Sequence, residues 1–211
     1  REILPQQTKL PIPRDCGAAE PRTVLRQENG RTMAVSAPLL QMGIKGTAAE
    51  DGPAQLRQRF LGELACEALA GSSSPLYQRL YEDGLINSGF YLGYTDYPGC
   101  AFLLAGGESK DPEAVRDAIL AEGARIAREG LDEGLFRRLK KALYGVYVQG
   151  LNSFANLCVE QAKGYFAGQD PWTFPAIYEA MEKQDVEAFL AEWVKPEQTS
   201  LVIIRPEVTA P

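Results

Sequence analysis

An α+β fold, with an antiparallel sheet covered by helices on one face, is the architecture this sequence predicts. Three observations carry that expectation. Segments with apolar residues at every second position alternate with segments of helical spacing, in the order strand, helices, hairpin, helices, strand. The middle pair of strands is joined by Asp96-Tyr97-Pro98-Gly99, whose Pro-Gly step favours a reversing turn and so an antiparallel pair. Hydrophobic residues make up 45% of the 211, enough to bury one sizeable core.

Taken in order, residues 1–22 carry Pro5, Pro11, Pro13 and Pro21 without a sustained period, and read as an interdomain linker. Residues 23–211 then read as a single domain. From Arg31 the chain alternates through Met33, Val35 and Ala37, breaks phase at Pro38 and resumes with Leu40, Met42 and Ile44, which suggests one long strand with a bulge or an edge position. Pro53 begins a helix through Leu56, Phe60, Leu64 and Leu69 that stops at Gly71. Ser74 and Pro75 make an N-cap and first-turn pair for a short helix to about Glu82, closed by Gly84. The hairpin strands follow at about 88–95 and 99–105. Asp111 and Pro112 open the next helix, with Val115, Ile119 and Ile126 on its buried face and Gly130 at its end. Further helices are expected from Asp132, over 152–167, over 175–182 and over 185–194, before a closing buried strand at 200–204.

Composition excludes several classes of function. A net charge of −6 argues against nucleic acid and anionic membranes as partners, because both call for a basic face. The chain has no histidine, so it offers neither an imidazole base nor an imidazole metal ligand. Cys16, Cys66, Cys100 and Cys158 are widely spaced with no C-x-x-C pair. They read as reduced, mostly buried thiols of a cytoplasmic protein, with a disulfide pair as the other reading. No stretch has the length of a membrane span or the form of a signal peptide. The chain opens at Arg1 without a methionine, and is read as part of a longer protein.

Four features invite a chemical reading, each beside a plainer one. Gly71-Ser72-Ser73-Ser74 would cradle an anion at a helix start or serve as a helix-to-helix turn. Gly106-Gly107 reads as a plain loop leaving a strand. Glu179, Glu182, Asp185 and Glu187 form a solvated helix face or, less fittingly without histidine, a carboxylate metal site. Tyr77, Tyr81, Phe90, Tyr91, Tyr94 and Tyr97 gather at the helix-to-hairpin junction, where they would line a groove or fill the core.

At that junction the sequence resembles the C-terminal half-domain of pitrilysin/insulinase-type zinc metallopeptidases. The likeness runs through most of the chain from Glu20. It rests on the segment from Met33 to Lys45, on Gly71-Ser72-Ser73-Ser74-Pro75-Leu76-Tyr77 followed by Gly84-Leu85-Ile86, on Ala105-Gly106-Gly107 leading to Asp111-Pro112, and on the closing strand from Ser200 to Arg205. The Asp83-Gly84-Leu85-Ile86 form is similar to bacterial members that occur as homologous pairs.

The resemblance implies that zinc and the water-activating glutamate belong to an H-x-x-E-H motif in an N-terminal half or homologous partner subunit, outside this chain. This chain would then carry no cofactor or catalytic residue of its own, and by itself would be inactive. In active members the C-terminal half supplies an arginine and a tyrosine that hold the peptide on either side of the Gly-Leu pair. Placing Gly84-Leu85 there, with one residue deleted, puts Tyr81 at the arginine position and Asn87 at the tyrosine position, with Arg79 two residues earlier as a substitute. The resemblance therefore implies a chamber-closing domain that contacts a peptide substrate. The rival reading is a catalytically inactive homologue kept as a structural or assembly subunit. A binding module of unrelated ancestry is the third reading; a closed ligand pocket inside the domain would favour it.

Overall fold

The computed structural model describes residues 20–97 and 99–207. Most of the linker expected at 1–22 lies outside the described residues. Its last part is held to the domain, with Glu20 paired to Lys45 and Arg22 to Glu192.

The strands are β1 (Glu28–Met33), β2 (Leu39–Gly46), β3 (Tyr91–Tyr97), β4 (Cys100–Glu108) and β5 (Thr199–Pro206). The helices are α1 (Pro53–Ala70), α2 (Pro75–Glu82), α3 (Pro112–Glu129), α4 (Glu133–Gly150), α5 (Phe154–Ala167), α6 (Phe174–Ala180) and α7 (Lys183–Trp193). The sheet has five strands in the order β1-β5-β2-β4-β3. From β5 to β3 every neighbour is antiparallel, as expected, whereas β1 runs parallel to β5 at the edge.

The α+β expectation holds, and one element of it is corrected. The alternation from Arg31 onward is not one strand with a bulge but two strands that do not pair with each other, because β5 lies between them. Pro38 marks the break: it has no N–H to give a ladder, and its carbonyl accepts from Ser109 N instead (3.0 Å).

Local chemistry fixes the helix starts. Ser74, Asp111, Asp132 and Ser153 each accept a hydrogen bond from a first-turn backbone N–H of α2, α3, α4 and α5 respectively. In α7, Glu182 and Asp185 form a reciprocal capping box.

One face of the sheet is covered and the other is not. Leu40, Met42 and Ile44 of β2, Leu103 and Ala105 of β4, and Leu201 and Ile203 of β5 are buried beneath the helices. Helices α1 and α7 reach the sheet through an aromatic seat. The Tyr94 ring of β3 lies 5.8 Å from that of Trp193 and 6.3 Å from that of Phe189, and the Phe189 and Trp193 rings stack at 4.4 Å. Two glycines make room for it. A Cβ at Gly46 would lie 2.1 Å from the Trp193 ring, and one at Gly62 of α1 would lie 2.3 Å from the Tyr94 ring.

Gly62 thus sets the distance between α1 and β3. In an open helix Gly62→Ala would gain about 0.5–1 kcal/mol of helix propensity. Here the methyl would displace a packed ring, at about 1–3 kcal/mol. The expected result is a net loss of stability, read as a lower urea midpoint at unchanged slope; a higher midpoint would show that the ring moves aside freely.

Candidate functional site

The uncovered face of the sheet carries a cleft of about 590 Å³. Register builds its floor. Val202 of β5, Gln41 of β2, Gly106 of β4 and Tyr91 of β3 are successive partners across four strands, so all four present to the open side. Beyond the cleft on the same face, the row of Ser200, Gly43, Leu104 and Gly93 keeps the backbone accessible: a Cβ at Gly43 or Gly93 would meet nothing within 4 Å. Tyr91 lies across Gly106, where an added Cβ would stand 2.8 Å from the Tyr91 hydroxyl. Gly106 and Gly107 are therefore not a loop leaving the strand, as the sequence suggested; both lie within β4, and Gly106 is the low point that lets the tyrosine ring lie flat.

A polar end closes this cleft. Asn87 Nδ2 donates to Glu108 Oε2 (2.8 Å), and Asn87 Oδ1 accepts from Gly89 N (2.8 Å), which ties the segment before β3 to the end of β4. The cleft thus offers the amides of Gln41 and Asn87, the hydroxyls of Ser88 and Tyr91 and one carboxylate, Glu108, over an apolar floor. Such groups donate and accept hydrogen bonds but form no nucleophile and base pair. Among the described residues there is no cluster of three or more His, Cys, Asp or Glu able to hold a metal ion. The donor set does not fit zinc.

This geometry has relatives. The family model of the peptidase M16 inactive domain matches residues 7–143. The chain belongs to this family. It is 25% identical over 193 residues to YmfH of Bacillus subtilis, an uncharacterized zinc protease, and covers 44% of that protein's length. It also matches an M16-like peptidase from Alicyclobacillus acidocaldarius at 25% identity and a TM-score of 0.84, covering 90% of this chain and 46% of that one. The inactive peptidase domain from Bordetella parapertussis shares the fold at 16% identity and a TM-score of 0.67, over 97% of its own chain. This M16 inactive domain therefore spans less than half the length of the YmfH and Alicyclobacillus proteins.

The residues picked out by sequence are dispersed. Asn87 lines the cleft. Arg79 and Tyr81 sit on the exposed side of α2 and are not among the cleft residues; Tyr81 stacks on Tyr77 instead (6.2 Å between centroids). Of the aromatic set, Tyr91 alone lines the cleft, and Tyr94 belongs to the aromatic seat. Ser74 is spent on capping α2, so the Gly-Ser run is a helix-to-helix turn. The acidic run has local work: besides the capping box, Glu187 accepts from Leu131 N (2.8 Å) and Asp185 pairs with Arg57. Cys66 is buried as expected, but Cys100 and Cys158 are free and exposed, because β4 begins at the sheet rim and α5 presents Cys158 outward. Gln41, Gly106 and Glu108 were missed as site residues. Their signal is a register across four strands, which no local spacing reveals.

A second concavity, about 450 Å³, lies on the helical side between α1, α4 and α5. Glu63 of α1 faces it. Burial pushes this carboxyl up to about 7, helped by Asp96 and Glu160 and opposed by Arg59, which is itself held by Asp96 in two hydrogen bonds of 3.0 and 3.1 Å. The same burial pushes the Cys66 thiol up, which makes it inert.

Unfolded, the Glu63 carboxyl ionises near 4.5; folded, it holds its proton to about 7. Stability is therefore fullest below the unfolded value and is lost as pH rises through the folded one, by about 1–3 kcal/mol. Glu63→Gln should flatten the fall in urea midpoint between pH 5 and pH 8, and an unchanged slope would assign the pH dependence to another group.

Proposed function

We propose that this domain is the non-catalytic half of a zinc-dependent peptidase. It closes one wall of a chamber and contacts the peptide through its open sheet face, while zinc and the activated water are supplied by an N-terminal half or a homologous subunit outside this chain. The observation that carries this reading is the uncovered face itself. An antiparallel sheet is stable with one face solvated, but here that face carries a cleft whose floor dips at Gly106 beneath Tyr91 and which Asn87 and Glu108 close at one end. An extended peptide presents alternating side chains and backbone amides, which suit such a surface. Membership of the inactive M16 domain supports it, as does the chain's share of 44–46% of two peptidase relatives. Confining a peptide between two walls supplies orientation to a reaction performed on the other wall.

Within this reading residues 23–211 act as one domain, 1–22 as its hinge, and Asn87 is the peptide-contacting member of the set Arg79, Tyr81 and Asn87. Tyr81 and Asn87 stand where active relatives carry an arginine and a tyrosine, and that replacement favours a second reading, an inactive homologue retained for assembly.

The two readings separate on the parent protein, assayed for cleavage of an extended peptide alone and mixed with any homologous subunit, with and without a chelator. Chelator-sensitive cleavage supports the peptidase; none in any combination supports the scaffold. If cleavage is found, Asn87→Ala should raise KM about 2–10-fold with kcat little changed, the signature of one lost hydrogen bond in uniform binding. A fall in kcat at constant KM would remove Asn87 from the binding role.

A further inference from the structure

The side of helix α5 turned away from the domain is apolar. Gly164 is its one buried residue, with Leu157 and Gln161 turned to the cavity between α1, α4 and α5. Outward, Ala155, Val159, Ala162 and Phe166 recur at helical spacing on one exposed face, beside Phe154, Cys158 and Tyr165. The polar residues Asn156, Glu160 and Lys163 keep to one flank, so the apolar side is an exposed stripe of the kind a helix turns to a packing partner.

The exposure is large enough to demand cover. Phe154, Tyr165, Phe166 and the neighbouring Trp172 are 80%, 81%, 86% and 58% exposed. At about 150–250 Å² per aromatic side chain, these fractions leave roughly 450–750 Å² open. A stable interface takes about 800 Å² from each partner, and contiguous apolar patches on free monomers rarely exceed a few hundred Å². A small molecule in the cavity would leave Phe154 and Phe166 uncovered.

We propose that the α5 face is the seat of the other half of the parent peptidase, an apolar surface carrying a lysine or arginine that enters the cavity beside Glu63. This rests on the proposed function above, and two observations choose the occupant. More than half the length of the YmfH and Alicyclobacillus relatives has no counterpart in this chain. The cations of the seat are engaged elsewhere: Arg59, which acts on Glu63 only at longer range, is hydrogen-bonded to Asp96, Lys163 pairs with Glu160, and among the described residues Glu63 has no ion-pair or hydrogen-bond partner. A second copy meeting this one through the same face would bring another Glu63 and the same engaged Arg59 and Lys163. A basic residue from a different polypeptide surface completes the site.

Cys158, exposed on α5, reports the cover, and Cys100, exposed at the start of β4, is the internal control. Alkylation by a maleimide is followed at each thiol in this chain alone and in the parent protein. In the parent, Cys158 should react at least 10-fold more slowly while Cys100 changes less. Phe166→Glu in the parent should restore the rate at Cys158 and leave the unfolding midpoint of the isolated chain unchanged, since Phe166 is exposed there. Equal rates at Cys158 in both proteins would overturn the proposal. So would protection in the isolated chain that grows with its concentration, which marks a second copy, or protection that appears only on adding a separate subunit. Peptide cleavage is measured on the same parent. Protection without cleavage keeps the seat and removes the peptidase reading, whereas cleavage with a freely reactive Cys158 does the reverse.

Discussion

The contact on which the rest depends is the aromatic seat between the helices and the sheet. Tyr94 projects from β3, Trp193 and Phe189 descend from α7, and α1 closes on Tyr94 because Gly62 has no side chain to hold it off. Gly46, at the end of β2, lies under Trp193 for the same reason. Rings of this size bury much apolar area at low conformational cost. Once they are seated, α1 and α7 occupy the same side of the sheet, and α3, which packs against α7 and also meets β2 and β5, follows them there.

An uncovered second face is the direct consequence. Strand alternation puts Leu40, Met42, Leu103 and Leu201 toward the helices. The same alternation forces Gln41, Gly43, Gly106 and Val202 outward. The core therefore determines where the cleft lies, although none of the cleft's polar groups takes part in the core. Substitutions in the cleft should act on recognition while leaving the fold intact, and substitutions in the seat should do the opposite.

Much of this was legible locally. Ser74-Pro75, Asp111-Pro112 and Asp132 announce helix starts through the hydrogen bonds their side chains accept, and those bonds are short in sequence. The antiparallel pairing of β3 with β4 was legible from equally local signals. What could not be read is set by partners far along the chain. β1 and β2 look like one strand with a phase break, and only the arrival of β5, more than 150 residues later, separates them. Gly106-Gly107 looks like a loop because glycine usually is one; in β4 it is a floor under Tyr91, a partner supplied by register. The junction aromatics divide by the parity of their strand, with Tyr94 inward and Tyr91 outward, which alternation predicts only once the strand ends are known.

The sheet cleft and the α5 face, both left open by this core, differ in kind, and the difference bears on how each is used. The sheet cleft mixes amides, hydroxyls and one carboxylate, groups that water can satisfy when nothing is bound. A ligand there exchanges one set of hydrogen bonds for another, which suits reversible binding. The α5 face offers aromatic and aliphatic groups with little for water to bond, and beneath it Glu63 sits in a cavity where ionisation is disfavoured. Leaving that face bare costs free energy continuously, in proportion to its apolar area. A surface of the first kind fits a substrate that comes and goes, and one of the second kind fits a partner that stays. Both can exist on a single small domain because the helices that fill one side of the sheet are themselves only half covered.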